Sequence, residues 1–203
     1  MFYLNMDMVL QILSILLSYL LGAIPFGLIF ARMFSNMDVR TVGSGNIGAT
    51  NVLRAAGKKA AILTLVADIG KGFLPVLFVH ILFHDTAFTA LAGATAVLGH
   101  NFPIYLKFKG GKGVATSFGV VLAVAPWIGL VCLFAWGVAA YLWRYSSLSA
   151  LVAFACYPVL TFIATSLSSK PYSMLSLFVF SMIYYRHREN IKRLLAGTEP
   201  KIK

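Results

Sequence analysis

"GVATSFGVVLAVAPWIGLVCLFAWGVAAYLW", residues 113–143, is an almost unbroken apolar run of 31 residues. A bilayer is crossed by about 20 apolar residues in a helix, with a range of about 17–25. The run is too long for one span, and Pro126 stands inside it. Proline removes a helical amide donor and crowds the preceding turn. The reading is therefore two helices, 113–126 and 127–143. The same ruler applied along the chain finds further spans at 8–31, 59–83, 86–106, 149–168 and 172–186. The expected fold is all-α: a polytopic integral membrane bundle of about seven transmembrane helices.

Charge tests that count. Seven spans put Arg32, Arg40, Arg54, Lys58 and Lys59 on one side, together with Lys107, Lys109, Lys112 and Arg144. Arg186, Arg188, Lys192, Arg193, Lys201 and Lys203 of the tail fall on the same side. That is fifteen of the seventeen Lys and Arg; Lys170 stands opposite and Lys71 lies within a span. The excess of cations in cytoplasmic loops orients the chain, with the N-terminus outside and the C-terminus in the cytoplasm. Six spans would scatter the cations over both faces.

Composition agrees. Apolar residues make up 60% of the 203 and charged ones 11%, against about 45–50% and about 25% in soluble domains. Mean hydropathy is +0.84. A soluble core of this size could not hide so much apolar surface, so lipid is the solvent for most of the chain. A formal charge of +11 points to anionic partners, a membrane surface, or both. Nucleic acid would need a basic soluble domain, and the loops leave no room for one. The start, "MFYLNMDMVLQ", has no basic n-region and no A-x-A site follows the first apolar run, so that run is expected to be retained. Cys132 and Cys156 stand in separate apolar runs with no metal-binding spacing and are expected as free buried thiols.

Polarity concentrates in three segments on the cationic side. The first, "TVGSGNIGATNVLRAAGKK" (41–59), carries Ser44, Asn46 and Thr50, then the planar two-pronged donor Arg54. The second, "GHNFPIYLKFKGGKGVATS" (99–117), opens on His100 and holds Lys109, Gly110, Gly111, Lys112 and Gly113. Glycines let backbone N–H groups approach an anion, and a helix begins at the same spot. This is a phosphate cradle by composition, but G-x4-G-K-[ST] spacing is missing, so ATP is not implied. The third, "YYRHRENIKRLLAGTEPKIK" (184–203), places His187 and Asn190 on one helix face and spaces Glu189 to pair with Arg193. Ser147, in "RYSSLSA", either joins this polar cluster or caps a helix.

Asp68 and Lys71 lie inside a span at i, i+3 and can pair. Ionisable groups at that depth are costly and usually functional, although such a pair also suffices to fix helix packing. His80 and Asp85 form an H-x4-D pattern found in a class of glycerolipid acyltransferases. It falls at the outer end of a span, without a basic or glycine-rich loop, and is rejected as chance.

"GSGNIGATNVLRAAG", "GHNFPIYLKFKGGKGVAT" and "RHRENIKRLLAGTE" closely resemble the three motifs of the bacterial acyl-phosphate:glycerol-3-phosphate acyltransferase family, over about 45 residues. The resemblance implies one membrane-embedded acyltransferase domain, 1–203, in the bacterial inner membrane, with its site at the cytoplasmic face. It implies transfer of an acyl chain from acyl phosphate to the 1-hydroxyl of glycerol 3-phosphate, giving lysophosphatidic acid and inorganic phosphate. Functional coupling to the enzyme that makes acyl phosphate follows. Carried over by motif, Ser44, Asn46, Arg54, His100 and His187 are catalytic candidates. Thr50, Lys109, Gly110, Gly111, Lys112, Gly113, Ser147 and Asn190 are substrate-binding candidates, and Glu189 matches a structural position. An acyl phosphate is already an activated anhydride, so no cofactor or metal is expected. The proton acceptor stays open between His100, His187 and a substrate phosphate. Ser44 as a covalent nucleophile lacks a neighbouring acid in sequence, and direct transfer is the favoured route. A transporter for an anion is the rival reading; it predicts polar residues along a path through the spans and internal repeats, whereas here they crowd at one end and no repeat is visible.

Overall fold

The computed structural model describes residues 6–164 and 170–202, and every regular element among them is helical. Among the described residues nine α-helices run in order: α1 (Met6–Ala23), α2 (Phe26–Ser35), α3 (Ala49–Phe83), α4 (Thr86–Asn101), α5 (Val114–Val124), α6 (Pro126–Trp143), α7 (Ser146–Ile163), α8 (Lys170–Arg186) and α9 (Arg188–Leu195). Each expected apolar stretch carries helix. Four stretches are long and apolar enough to cross a membrane: Met6–Ser35, Ala49–Phe83, Pro126–Trp143 and Ser146–Ile163. Positions 165–168 of the expected 149–168 span, and Lys203 of the tail, lie outside the described residues.

Local chemistry sets the boundaries. Pro126 is the first residue of α6, where its missing N–H costs nothing, and 113–143 is two helices. Pro25 breaks the first stretch into α1 and α2. Asp85 accepts from the amides of Ala87 and Phe88, so the acid of the rejected H-x4-D pattern is the N-cap of α4. Helix α3 begins at Ala49, ten residues before the expected 59, because Gly57 (φ 81°, ψ 179°) turns the chain within it and the polar first motif itself forms the opening turns. Helix α4 stops at Asn101, ahead of the expected 106, just before Phe102-Pro103.

Small residues sit where helices touch, and many large apolar ones face outward. Gly22 and Gly99 bring α1 and α4 into contact: a Cβ on Gly22 would stand 2.2 Å from the Ala96 carbonyl oxygen. Gly72 and Gly119 do the same for α3 and α5, with a Cβ on Gly119 2.0 Å from the Ile69 oxygen. Leu74, Phe78, Leu130, Phe134 and Ile163 are exposed. Close backbone approach inside with apolar bulk outside is how helices pack in lipid.

Two short helices shape the site. At 1.5 Å per residue α5 is about 16 Å long and α4 about 24 Å. Asp68, near the middle of α3, stands 3.8 Å from His100 at the C-terminal end of α4. The 102–113 loop therefore sits beside the middle of α3, recessed into the bundle.

Candidate active site

A cavity of about 760 Å³ opens among these loops. Ser44, Asn46, Thr50 and Arg54 line it from the first motif, His100, Lys112 and Gly113 from the second, and His187 and Asn190 from the third. Ser147 joins the polar half. The other half is apolar, walled by Leu65, Ile69, Phe118, Leu133 and Trp136. Lys109, Gly110, Gly111 and Glu189 do not line the cavity.

The first loop is organised by Asn51, which the sequence reading did not single out as a site residue. Its amide donates to the carbonyls of Val39 (2.9 Å), Val42 (3.0 Å) and Asn46 (2.9 Å), and its Oδ1 accepts from the Ser44 amide at 3.0 Å. One fully used side chain thus folds residues 39–46 back on the start of α3. Gly43 (φ 58°) is required beside it, since a Cβ there would stand 2.5 Å from Asn51 Oδ1. Asn46 Oδ1 is buried without a hydrogen-bond partner. Thr50 Oγ1 lies 3.1 Å from Ser146 Oγ. Arg54 makes no ion pair among the described residues, so its guanidinium is free for an anion.

The glycine loop is clamped from behind. Arg186 donates from Nε to the Gly111 carbonyl (3.0 Å) and from Nη2 to that of Gly110 (2.8 Å), with its guanidinium 5.3 Å from the Phe102 ring centre. Gly110 and Gly111 thus serve as anchor points, their carbonyls held by Arg186. Lys109 is exposed; the loop presents Lys112 instead, with Gly113 (φ 82°) as the N-cap of α5. His100 is buried with its ring against Gly111, where a Cβ would stand 2.1 Å from Nε2. Its Nδ1 has no hydrogen bond. Asp68, which also lines the cavity, pairs with Lys71 at 2.8 Å as the spacing predicts, and Lys71 donates to the Ile24 carbonyl at the Pro25 break.

In the third motif His187 Nδ1 lies 2.8 Å from the Ile183 carbonyl. A carbonyl only accepts, so the neutral ring carries its proton on Nδ1 and keeps the Nε2 lone pair. Burial, with Lys112 nearby, holds His187 down at about 4, so it is neutral at pH 7. Burial also lowers Lys112 to about 8; Glu199 opposes that fall, while Arg193, Arg186 and Arg54 add to it.

The acid of this motif that lines the cavity is Glu199, and Glu189 lies outside it. Glu189 is exposed and meets Lys192 at 3.3 Å and Arg188 at 3.7 Å; such surface pairs contribute about 0–1 kcal/mol. Its expected partner Arg193 pairs instead with Glu199 at 2.7 Å. Glu199 also accepts from Ser147 Oγ and Asn190 Nδ2, each at 2.6 Å. Burial alone would raise its carboxyl, but these three donors outweigh that and hold it below the usual range. Ser147 therefore belongs to the polar cluster, and the residue before α7, Tyr145, makes no side-chain cap. Glu199 ended the third motif and was legible as an acid in a cationic tail, but nothing local in sequence shows a tail folding inward.

Residues 12–197 match the family model described as glycerol-3-phosphate acyltransferase. This chain belongs to the glycerol-3-phosphate acyltransferase family. The acyltransferase is 51% identical over 187 residues to the glycerol-3-phosphate acyltransferase of Dinoroseobacter shibae, covering 92% of this chain and 90% of that one. It is 49% identical to the one of Caulobacter vibrioides, over 94% and 87% of the two chains. The crystal structure of PlsY (YgiH), an integral membrane glycerol 3-phosphate acyltransferase in its glycerol 3-phosphate form, superposes with a TM-score of 0.91 at 40% identity, covering 95% of this chain and 96% of that one. The lysophosphatidic acid form of PlsY superposes with a TM-score of 0.87 at 38% identity, over 95% of both chains. The transporter reading finds no support among these relatives.

Proposed function

We propose that this acyltransferase moves an acyl chain from acyl phosphate to the 1-hydroxyl of glycerol 3-phosphate at the cytoplasmic face of a bacterial inner membrane. The whole chain acts as one domain, with seven spans, the N-terminus outside and the tail inside. One observation carries the reading: three segments far apart in sequence line a single cavity that is cationic at one end and apolar at the other. Two substrates with phosphates and one with an acyl tail need that combination.

The chemistry follows from the residues. Lys112 and the N-terminus of α5 hold one phosphate, and Arg54 reaches the other. The apolar walls of α3, α5 and α6 take the acyl tail. The substrate hydroxyl attacks the acyl carbonyl carbon, a C–O ester bond forms, and the C–O bond to phosphate breaks with its electron pair leaving on phosphate. The hydroxyl proton passes to the departing phosphate or to Nε2 of His187. His187 is the better placed histidine, because His100 is wedged between Asp68 and Gly111. The protein's work is orientation and stabilisation of charge on the carbonyl oxygen and leaving phosphate. No acyl-enzyme is needed, and quenching the reaction and finding Ser44 acylated would overturn direct transfer. Purified protein in detergent, given acyl phosphate and glycerol 3-phosphate, is expected to release phosphate and lysophosphatidic acid together. Folded protein that makes neither sinks the reading.

A further inference from the structure

Glu199 is an acid inside an anion-binding cavity, which is costly unless it serves the cations there. It stands on the strap that follows α9, and its side chain is 7% exposed. The strap is tied down on both sides: the Thr198 amide donates to the Arg193 carbonyl (2.9 Å), and the Ile202 amide to the Arg144 carbonyl (2.6 Å). Both carboxylate oxygens are occupied, Oε1 by Ser147 and Asn190 and Oε2 by Arg193.

The contact with Asn190 has a consequence one residue further on. A carboxylate only accepts, so Asn190 must turn its NH₂ toward Glu199, and its carbonyl oxygen then faces the other way. That oxygen receives the Lys112 ammonium, which only donates. The chain Glu199–Asn190–Lys112 therefore has one consistent direction, from the strap to the glycine loop. We propose that Glu199 is a positioning residue, which acts through Asn190 to hold the Lys112 ammonium, charged and aimed, at the phosphate end of the cavity. The inference rests on the acyl-transfer reading of the site.

The surroundings of Lys112 give the test its sign. Facing it are Glu199 on the strap, Arg193 on α9, Arg186 at the end of α8, His187 between those helices, and Arg54 on α3. Behind Gly111 lie His100 and Asp68. Glu199 is the acid that favours the charged ammonium, and Arg193, Arg186 and Arg54 disfavour it. Glu199→Gln keeps the size and removes the charge, so Lys112 loses its proton at lower pH. The alkaline limb of kcat/KM for glycerol 3-phosphate is expected to move down by about one pH unit. At pH 8 KM for glycerol 3-phosphate should rise about fivefold, as the charged fraction of Lys112 falls from about one half to about one tenth, while kcat stays within about threefold. Arg193→Gln removes a neighbouring cation and leaves Glu199 unneutralised, so its limb should move up.

Both variants are followed by thermal melting and by calorimetric binding of inorganic phosphate across pH. If Glu199→Gln fails to fold, Arg193→Gln and Glu199→Asp decide, the latter retaining the wild-type limb. A limb unmoved in folded Glu199→Gln or Arg193→Gln, limbs of those two moved in one common direction, or a limb moved in Glu199→Asp, overturns the positioning role. A wild type without acyltransfer but with phosphate binding that shifts in opposite directions would sink the acyl-transfer reading and leave the positioning intact. An active wild type with no shift does the reverse.

Discussion

Arg54 is the guanidinium in the cavity that meets no carboxylate among the described residues, and that isolation makes it a sensitive probe. Arg54→Ala is expected to lower kcat/KM by about 10²–10³-fold, the usual cost of one preorganised donor to developing charge, with melting unchanged. Two titrations bound the pH profile. The lysine must be charged to hold phosphate, so kcat/KM should fall as pH rises through about 8, the value set by burial of Lys112. His187, held at about 4, stays neutral across the working range and protonates only below it. Lys112→Arg should keep binding and remove the alkaline limb, and a limb unchanged in that variant would assign it elsewhere. The residues that fill the cavity were legible in the sequence because phosphate chemistry uses a short list: glycine, a cation, small hydroxyls. Those that hold them were not. Asn51 bonds three carbonyls, Arg186 clamps two more, and Glu199 returns from the tail. Asn51 and Glu199 bond across loops of irregular backbone and Arg186 reaches a loop some 75 residues away, and no sequence period marks any of the three.

Among the elements, α5 decides most. Its helix covers only about 16 Å of the about 30 Å of hydrocarbon, so the fourth span begins inside the bundle and the glycine loop lies at the level of Asp68 and His100. It can sit there because Gly72 and Gly119 let α3 and α5 touch backbone to backbone. Gly119→Val would put a methyl-bearing Cβ 2.0 Å from the Ile69 oxygen. It should lower the melting temperature by several degrees and weaken substrate binding along with it. A variant that melts like wild type would show that the pair can part cheaply. The break at Pro126 and the caps were readable from side-chain type. The early start of α3 was not, since hydropathy counts the polar first motif as loop although it coils once Asn51 has gathered the chain before it.

At the scale of the whole molecule, glycine contacts between helices and a wide apolar exterior make a bundle suited to lipid as its solvent. The cations gather at the end where the cavity lies. That charge bias predicts a topology: cysteine introduced at exposed Lys109 should react with an impermeant maleimide only in inverted vesicles, and one at Thr86 only in right-side-out cells. The reverse pattern, or labelling of both from one side, would refute the orientation. The bundle brings together three motifs separated by some forty to seventy residues, and the proposed reaction requires that one cavity serve two phosphates and one acyl chain. The most direct measurement is a stoichiometric one: purified protein in lipid, labelled acyl phosphate and glycerol 3-phosphate, with phosphate and lysophosphatidic acid counted over time. Both products are expected in a one-to-one ratio, with neither ester nor rate above background from Lys112→Ala. Phosphate released without lysophosphatidic acid, or wild-type turnover in Lys112→Ala, would contradict the proposed reaction at this cavity.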